Sequence, residues 1–417
     1  MSAQVVAIHA DNNSAHHQAG SQPAFWSGVL AMTLCVFALV ASEFMPVSLL
    51  TPVAADLKIS EGLAGQAISV SGVFAVLTSL SIPALACKTS RKTLLLWMTG
   101  LMFFSGPIIA LAPNYATYMA GRVLIGVAIG GFWSMSAATA MRLVPAHQVS
   151  RALAIFNGGN ALATVVAAPL GSYLGSVIGW RGAFFCLAPV ALAAFAWLWF
   201  SLPSMKADVR TPGSGNVFRL LRNPVIAWGM AAVSIFFMGQ FTLFTYLRPF
   251  LETVTRVDVS TLSLILLTVG VAGFIGTALI GAWLKKSFYG TLIAIPLLMA
   301  VIALALTAFG SWVAGTTALL GIWGLVATAA PVGWWSWLAK TMPDNAEAGG
   351  GLMVAVVQLA IGLGSTAGGL LFDLSGYRST FAVSAVLLLA SALLAFLASR
   401  ADRAQDVIPQ IQNGDVK

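Results

Sequence analysis

The sequence predicts an all-α membrane protein: twelve transmembrane helices in two pseudo-symmetric six-helix halves. Three observations carry this: very little charge, twelve apolar stretches long enough to cross a bilayer, and an internal repeat. Of 417 residues, 8% are charged and 59% are hydrophobic, with a mean hydropathy of +0.91. Soluble domains carry about 25% charged residues. So little charge cannot cover so much apolar surface in water. A soluble enzyme, a secreted disulfide scaffold and a disordered chain are excluded.

The apolar stretches fall at 26–50, 63–86, 93–111, 117–139, 152–174, 183–202, 225–247, 261–284, 290–309, 313–338, 350–371 and 381–399. Each approaches or exceeds the roughly 20 residues a spanning helix needs. The tail 1–25 holds no Lys or Arg, so the first stretch reads as a retained helix, not a cleaved signal. A polar segment, 203–224, with Pro203, Pro212, Gly213 and Gly215, divides the half 26–202 from the half 225–399. The tail 400–417 is polar again.

Of the 21 Lys and Arg, fifteen fall in the tails and in the loops on the same side. Lys58, Arg181, Arg248, Arg256 and Arg378 fall on the other side, and Arg122 lies within a stretch. This asymmetry predicts a multi-pass protein of a bacterial inner membrane with both termini cytoplasmic. The net charge of +8 is thereby explained by loops, and no basic cluster points to nucleic acid.

The halves echo each other. Gly179-Trp180-Arg181 precedes the sixth stretch and Gly376-Tyr377-Arg378 the twelfth, an offset of 197 shared by Gly171 and Gly368. Pro46 matches Pro249, and Gly131-Phe132-Trp133-Ser134 matches Gly333-Trp334-Trp335-Ser336. Repeated halves about a midplane site are the architecture of alternating-access transporters. Cys35, Cys87 and Cys186 are scattered, so neither a disulfide framework nor a metal site is indicated. No Walker motif supports ATP drive, no catalytic motif is present, and no cofactor is expected.

Charge inside a membrane helix costs several kcal/mol and needs a reason. Glu43 in the first stretch and Arg122 in the fourth are the clear cases. Opposite charge and similar depth predict a facing pair. It serves either proton exchange during transport or a static lock between two helices. Asn157, Asn160, Gln240 and Gln358 offer carboxamides that donate and accept. They suit a neutral polar solute or, alternatively, glue between helices. Trp133, Trp334 and Trp335 offer faces for a planar ring, or an interfacial belt. Ser134 adds a hydroxyl. The pairs Gly126/Gly130 and Gly364/Gly368 read as close helix packing.

Arg122-xx-Ile125-Gly126-x-Ala128-Ile129-Gly130 and Ala168-Pro169-Leu170-Gly171 with Gly179-Trp180-Arg181 resemble motifs of the major facilitator superfamily, in its twelve-helix drug:proton antiporter branch. Glu43-Phe44-Met45-Pro46-Val47-Ser48-Leu49-Leu50-Thr51-Pro52, Gly130-Gly131-Phe132-Trp133-Ser134-Met135-Ser136, Met141-Arg142-Leu143-Val144-Pro145, Gly239-Gln240-Phe241 and Pro331-Val332-Gly333-Trp334 are similar to bacterial purine ribonucleoside efflux permeases. The resemblance runs from about 26 to 400. It implies a monomeric, proton-coupled exporter of inosine and guanosine. It also implies that helices one, four, seven and ten line the cavity, around Glu43, Arg122, Trp133, Gln240, Trp334 and Trp335.

One stretch departs from the family. Its loop between helices two and three usually carries a Gly and an Asp where this chain has Pro83 and Cys87. The basic end remains. Lys88, Arg91 and Lys92 are expected either to gate by latching to acids or helix C-termini, or to act as positive-inside anchors.

Overall fold

The structure is a computed structural model that describes residues 24–86, 89–205, 217–342 and 346–414. The described residues are almost wholly helical, with no strand among them. Among the described residues, twelve helices are long and apolar enough to cross a membrane. They are α1 Trp26–Leu57, α2 Glu61–Ala86, α3 Arg91–Ala110, α4 Tyr115–Arg142, α5 Val149–Val177 and α6 Gly179–Ser201. The second set is α7 Pro224–Phe244, α8 Val259–Lys286, α9 Phe288–Phe309, α10 Val313–Thr341, α11 Ala346–Ser375 and α12 Tyr377–Gly414. In lipid only such internally hydrogen-bonded segments satisfy their backbone.

Local chemistry sets the helix starts. Side chains of Ser90, Asn114, Asn223 and Asp258 accept from the first turns of α3, α4, α7 and α8, as N-caps do. Some helices overrun their apolar stretches. The last apolar stretch ends at 399, yet α12 continues to Gly414. Hydropathy marks the part of a helix that lipid can hold, whereas Arg, Gln and Ala sustain a helix in water. Beyond the lipid-length part, Lys340 Nζ meets Asp402 at 3.2 Å and Gln405 donates to Asn223 at 3.2 Å. Helix α6 breaks after Phe185 and resumes at Leu187.

The repeat is also conformational. Gly179 and Gly376 have φ of +75° and +78° at the starts of α6 and α12, a region that favours glycine. Among the described residues, Lys58 and Arg256 are the positive-φ non-glycine positions, at +54° and +56°. They end α1 and the short extension that follows α7. Each half has its own core, one around Phe132 and Phe156, the other around Phe236, Trp323 and Trp337. Gly126 and Gly130 bring α4 against the backbone of α2, and Gly364 and Gly368 bring α11 against α7.

The halves meet along α2–α11 and α5–α8. The starts of α1 and α7 and the ends of α6 and α12 define a terminal face. Toward the opposite face α2 and α11 form a tight seam. A Cβ on Gly62 would lie 2.7 Å from Gly369 O, and one on Gly72 2.8 Å from Gln358 O. Ser69 Oγ donates to Gly362 O at 2.8 Å, and Thr366 Oγ1 donates to Gln66 Oε1 at 3.1 Å. Asp373 of α11 accepts from the Gly62 N–H at 3.0 Å and from the Ser60 hydroxyl. It thus caps the first turn of a helix in the other half.

Candidate transport site

The site begins with two prolines in α1. A proline has no N–H, so the carbonyl four residues earlier loses its helical partner. Pro46 frees Ser42 O, and Arg122 Nη1 of α4 donates to it at 2.9 Å. The other arms of Arg122 donate to α2: Nε to Ala67 O at 3.0 Å and Nη2 to Ser71 Oγ at 2.9 Å. Arg122 is fully buried. Its planar fork therefore braces three helices of the first half. The second proline repeats the device. Pro52 frees Ser48 O, and Arg248 Nη1, from the segment after α7, donates to it across the halves. Arg248 also pairs with Glu252 at 2.8 Å.

This corrects the expected pair. Glu43 and Arg122 are close in the fold, since Arg122 binds the carbonyl next to Glu43 in the chain. Yet Arg122 makes no ion pair with Glu43. Its donors are directed to the freed Ser42 carbonyl and to two buried oxygens of α2. The buried Glu43 carboxylate instead accepts from Gln358 Nε2 of α11 at 3.2 Å. Beside it Phe44 stacks on Phe241 of α7, with ring centroids 6.0 Å apart. Gln240 precedes Phe241, and its Oε1 is buried with no hydrogen-bond partner among the described residues. A buried acceptor without a donor calls for an explanation.

The remaining expected residues divide. Trp133 is partly buried and meets Phe156 edge to face at 6.2 Å. Ser134 Oγ donates to Gly130 O at 2.6 Å, so its proton stays within α4. Asn157 is exposed and donates to Leu153 O at 2.9 Å, and Asn160 is half-buried. Trp334 is only 3% exposed and packs edge to face on Trp337 in the second-half core, whereas Trp335 is 45% exposed. Trp334 thus presents no free ring face in this arrangement, contrary to the expected stacking surface. Successive residues point about 100° apart on a helix, which turns Trp334 into the core and Trp335 outward.

Of the basic trio, Lys88 lies outside the described residues, and Arg91 is buried at the start of α3. Lys92 Nζ donates to Leu202 O at 2.6 Å, the C-cap of α6. That is the favourable end of a helix for a cation. Lys92 also edges a groove of about 770 Å³ between α3 and α6, lined by Trp97, Phe104, Phe195 and Trp199. The groove lies away from Glu43.

Sequence reasoning missed Arg248, Asp373, Ser69, Thr366 and Tyr246. Tyr246 Oη donates to Ser365 O at 2.9 Å and lies against Gly65. The available signal was spacing. Gln358, Gly362, Thr366, Gly369 and Asp373 recur every three or four residues on α11, as Gly62, Gln66, Ser69 and Gly72 do on α2, with Gly65 beside Gln66.

The chain resembles known proteins over most of its length. It is 64% identical over 391 residues to "Transcription regulatory protein OpdE" of Pseudomonas aeruginosa (strain PAO1), covering 93% of this chain and 96% of that protein. It is 41% identical over 369 residues to "Purine ribonucleoside efflux pump NepI" of Salmonella typhimurium (strain LT2), covering 88% and 93%. Among solved structures, a bacterial homolog of the human lysosomal transporter Spinster, inward-facing and unoccupied, matches with a TM-score of 0.75 at 16% identity, covering 92% and 98%. A D-xylose-proton symporter matches with a TM-score of 0.70 at 18% identity, covering 89% and 96%. The sequence model of the Major Facilitator Superfamily matches residues 32–364. With its twelve helices in two like halves, the chain belongs to the Major Facilitator Superfamily and is a multi-pass membrane transporter of small molecules.

Proposed function

We propose that the protein exports purine ribonucleosides such as inosine and guanosine across the bacterial inner membrane in exchange for protons. The termini lie in the cytoplasm, and the two halves rock about the α2–α11 seam. The observation that carries this is Glu43, a buried carboxylate at the junction of the halves whose hydrogen bond comes from the half it must move against. The likeness to the efflux pump NepI supports the substrate class. Gln240, Asn157, Asn160 and Trp133 supply donors, acceptors and a ring face for a nucleoside. Lys92 anchors the cytoplasmic end of α3 to α6.

One proton moving down a potential near 150 mV supplies about 3 kcal/mol. That sustains a solute gradient on the order of 100-fold. The test is uptake of labelled inosine into inverted vesicles with and without a proton gradient. Glu43→Gln should abolish gradient-driven uptake and leave solute exchange intact. Full gradient-driven uptake by that variant removes Glu43 as the coupling group. Uptake of a cationic drug or a sugar but not inosine reassigns the substrate. A second reading, a membrane sensor that uses the fold without moving solute, is favoured by the regulatory name of the Pseudomonas relative. Absence of uptake across a solute panel would select it.

A further inference from the structure

The hydrogen bond from Gln358 sets Glu43 apart from three other polar side chains expected at the site. Arg122, Ser134 and Asn157 all bond within the first half. Glu43 is held from the second half, by Gln358 Nε2 at 3.2 Å. Gln358 also sits at the deep end of the seam. Its carbonyl would lie 2.8 Å from a Cβ on Gly72, and the α11 stripe runs from it through Gly362 and Thr366 to Asp373. Parting α11 from α2 therefore pulls Gln358 away from Glu43.

We infer that Gln358 is a latch that couples the charge of Glu43 and the presence of solute to the opening of the opposite face. The inference rests on the proton-coupling reading above. An ionised carboxylate only accepts hydrogen bonds, so the Gln358 amide must donate to it. That bond is charge-assisted and roughly twice as strong as a neutral one. The empty, ionised carrier is thus held shut at the opposite face. A proton on Glu43 leaves the pair a neutral bond and weakens the latch. A solute that bears an O–H or N–H beside a carbonyl weakens it differently. Its donor satisfies Glu43 and its acceptor takes the Gln358 amide, so the solute stands between the two side chains. Either cargo releases the same contact, and the empty ionised carrier does not cycle.

The charge that bears on Glu43 is Arg122 on α4. On α2, α5, α7 and α11 the sequence places charged residues only near helix ends: Glu61, Arg151, Glu347 and Asp373. Arg248 with Glu252 meets α1 from the second half, and Glu61, Glu252 and Asp373 interact at the opposite face, so the response assigned to Glu43 is the part of the pH curve that Glu43→Gln loses.

The test needs neither transport nor a gradient. Spin labels at Leu111→Cys and Ser311→Cys, exposed positions of the two halves at the opposite face, report its opening by pulsed dipolar distances. The full-length protein is reconstituted in lipid, with Cys35, Cys87 and Cys186 replaced. Without solute, the open population should rise about fivefold as pH falls through the titration of Glu43. At high pH, inosine should raise it similarly. Gln358→Met, close in shape but without a donor, should be open about fivefold more at high pH and respond to neither pH nor inosine. Gln358→Asn, one methylene shorter, should behave like it, which separates loss of reach from loss of polarity. Glu43→Gln should match the low-pH population at every pH. A Gln358→Met protein that follows the unmodified pH curve overturns the latch and leaves proton coupling standing. An unmodified protein with no pH response overturns both.

Discussion

Two arginines use α1 in the same way and to different ends. Arg122 takes the carbonyl that Pro46 frees, and Arg248 takes the one that Pro52 frees, six residues further along. Arg122 comes from α4, and all three of its hydrogen bonds stay within the first half. Arg248 comes from the second half and crosses to the first. The same chemistry thus makes a contact within one half in one place and a contact between the halves in the other. What decides is which half supplies the guanidinium. A rocking transporter needs both kinds of contact, because each half must stay rigid while the contacts between halves break.

The largest expected effect tests the brace. Arg122→Met removes three charge-assisted donors from a fully buried site. It should lower unfolding stability by about 3 kcal/mol, read as a fall in melting temperature in detergent. Arg122→Lys should recover only part of the loss, because an ammonium cannot span three acceptors with the geometry of a planar fork. A melting temperature unchanged in Arg122→Met would mean that the three bonds carry no net stability, and the contrast with Arg248 would fail.

The next effect falls on conformation. Arg248→Met should lower the melting temperature less than Arg122→Met does, the loss coming from the Glu252 carboxylate left without its partner. It should raise the population open at the opposite face about tenfold, the equivalent of one charge-assisted bond between the halves. Pro52→Ala approaches the same contact from its other side. The new N–H bonds Ser48 O within the helix and takes the acceptor from Arg248, so the opening should match. If Arg248→Met unfolds the protein and does not open it, Arg248 belongs with Arg122 as a brace.

Much of this was legible in the chain, and the limit has a physical cause. Spans, repeat and buried charges follow from the cost of polar groups in lipid, which each residue meets wherever its neighbours are. Glu43 and Arg122 stood out for that reason. Their partners did not, because a partner is fixed by helix packing. Opposite charge predicted a Glu43–Arg122 pair. The structure instead gives Arg122 a carbonyl, since Pro46 had already removed that carbonyl's own donor. The proline and its free carbonyl were in the sequence, four residues apart, but the helix that would face them was not. Gly364 and Gly368 read correctly as packing residues, within the second half. The glycines that close the seam, Gly62, Gly72 and Gly369, were passed over because their meaning depends on α2 facing α11.

The smallest effect sets a local contact beside a cross-half one. Ser60 and Asp258 each follow a positive-φ residue two positions earlier and begin α2 and α8, matching places in the two halves. Ser60 accepts from the Leu63 N–H at 3.1 Å and donates its own hydroxyl to Asp373 of the other half. Asp258 accepts from the Ser260 N–H at 3.2 Å and from the Thr261 hydroxyl, all within α8. The Thr261 hydroxyl and nearby N–H groups, opposed by slight desolvation, hold the Asp258 carboxyl below the usual range. A carboxylate depressed on folding contributes stability above its unfolded pKa of about 3.9 and loses it as pH falls through the folded value. Asp258→Asn keeps the cap, since Asn caps as well as Asp. It should melt marginally below the unmodified protein at neutral pH, and the difference should close below about pH 4. The labelled opposite face should not change its opening at any pH on this account. A shift in opening with Asp258→Asn would show that this cap, like that of Ser60, reaches across the halves, and the division between local and cross-half contacts would have to be redrawn.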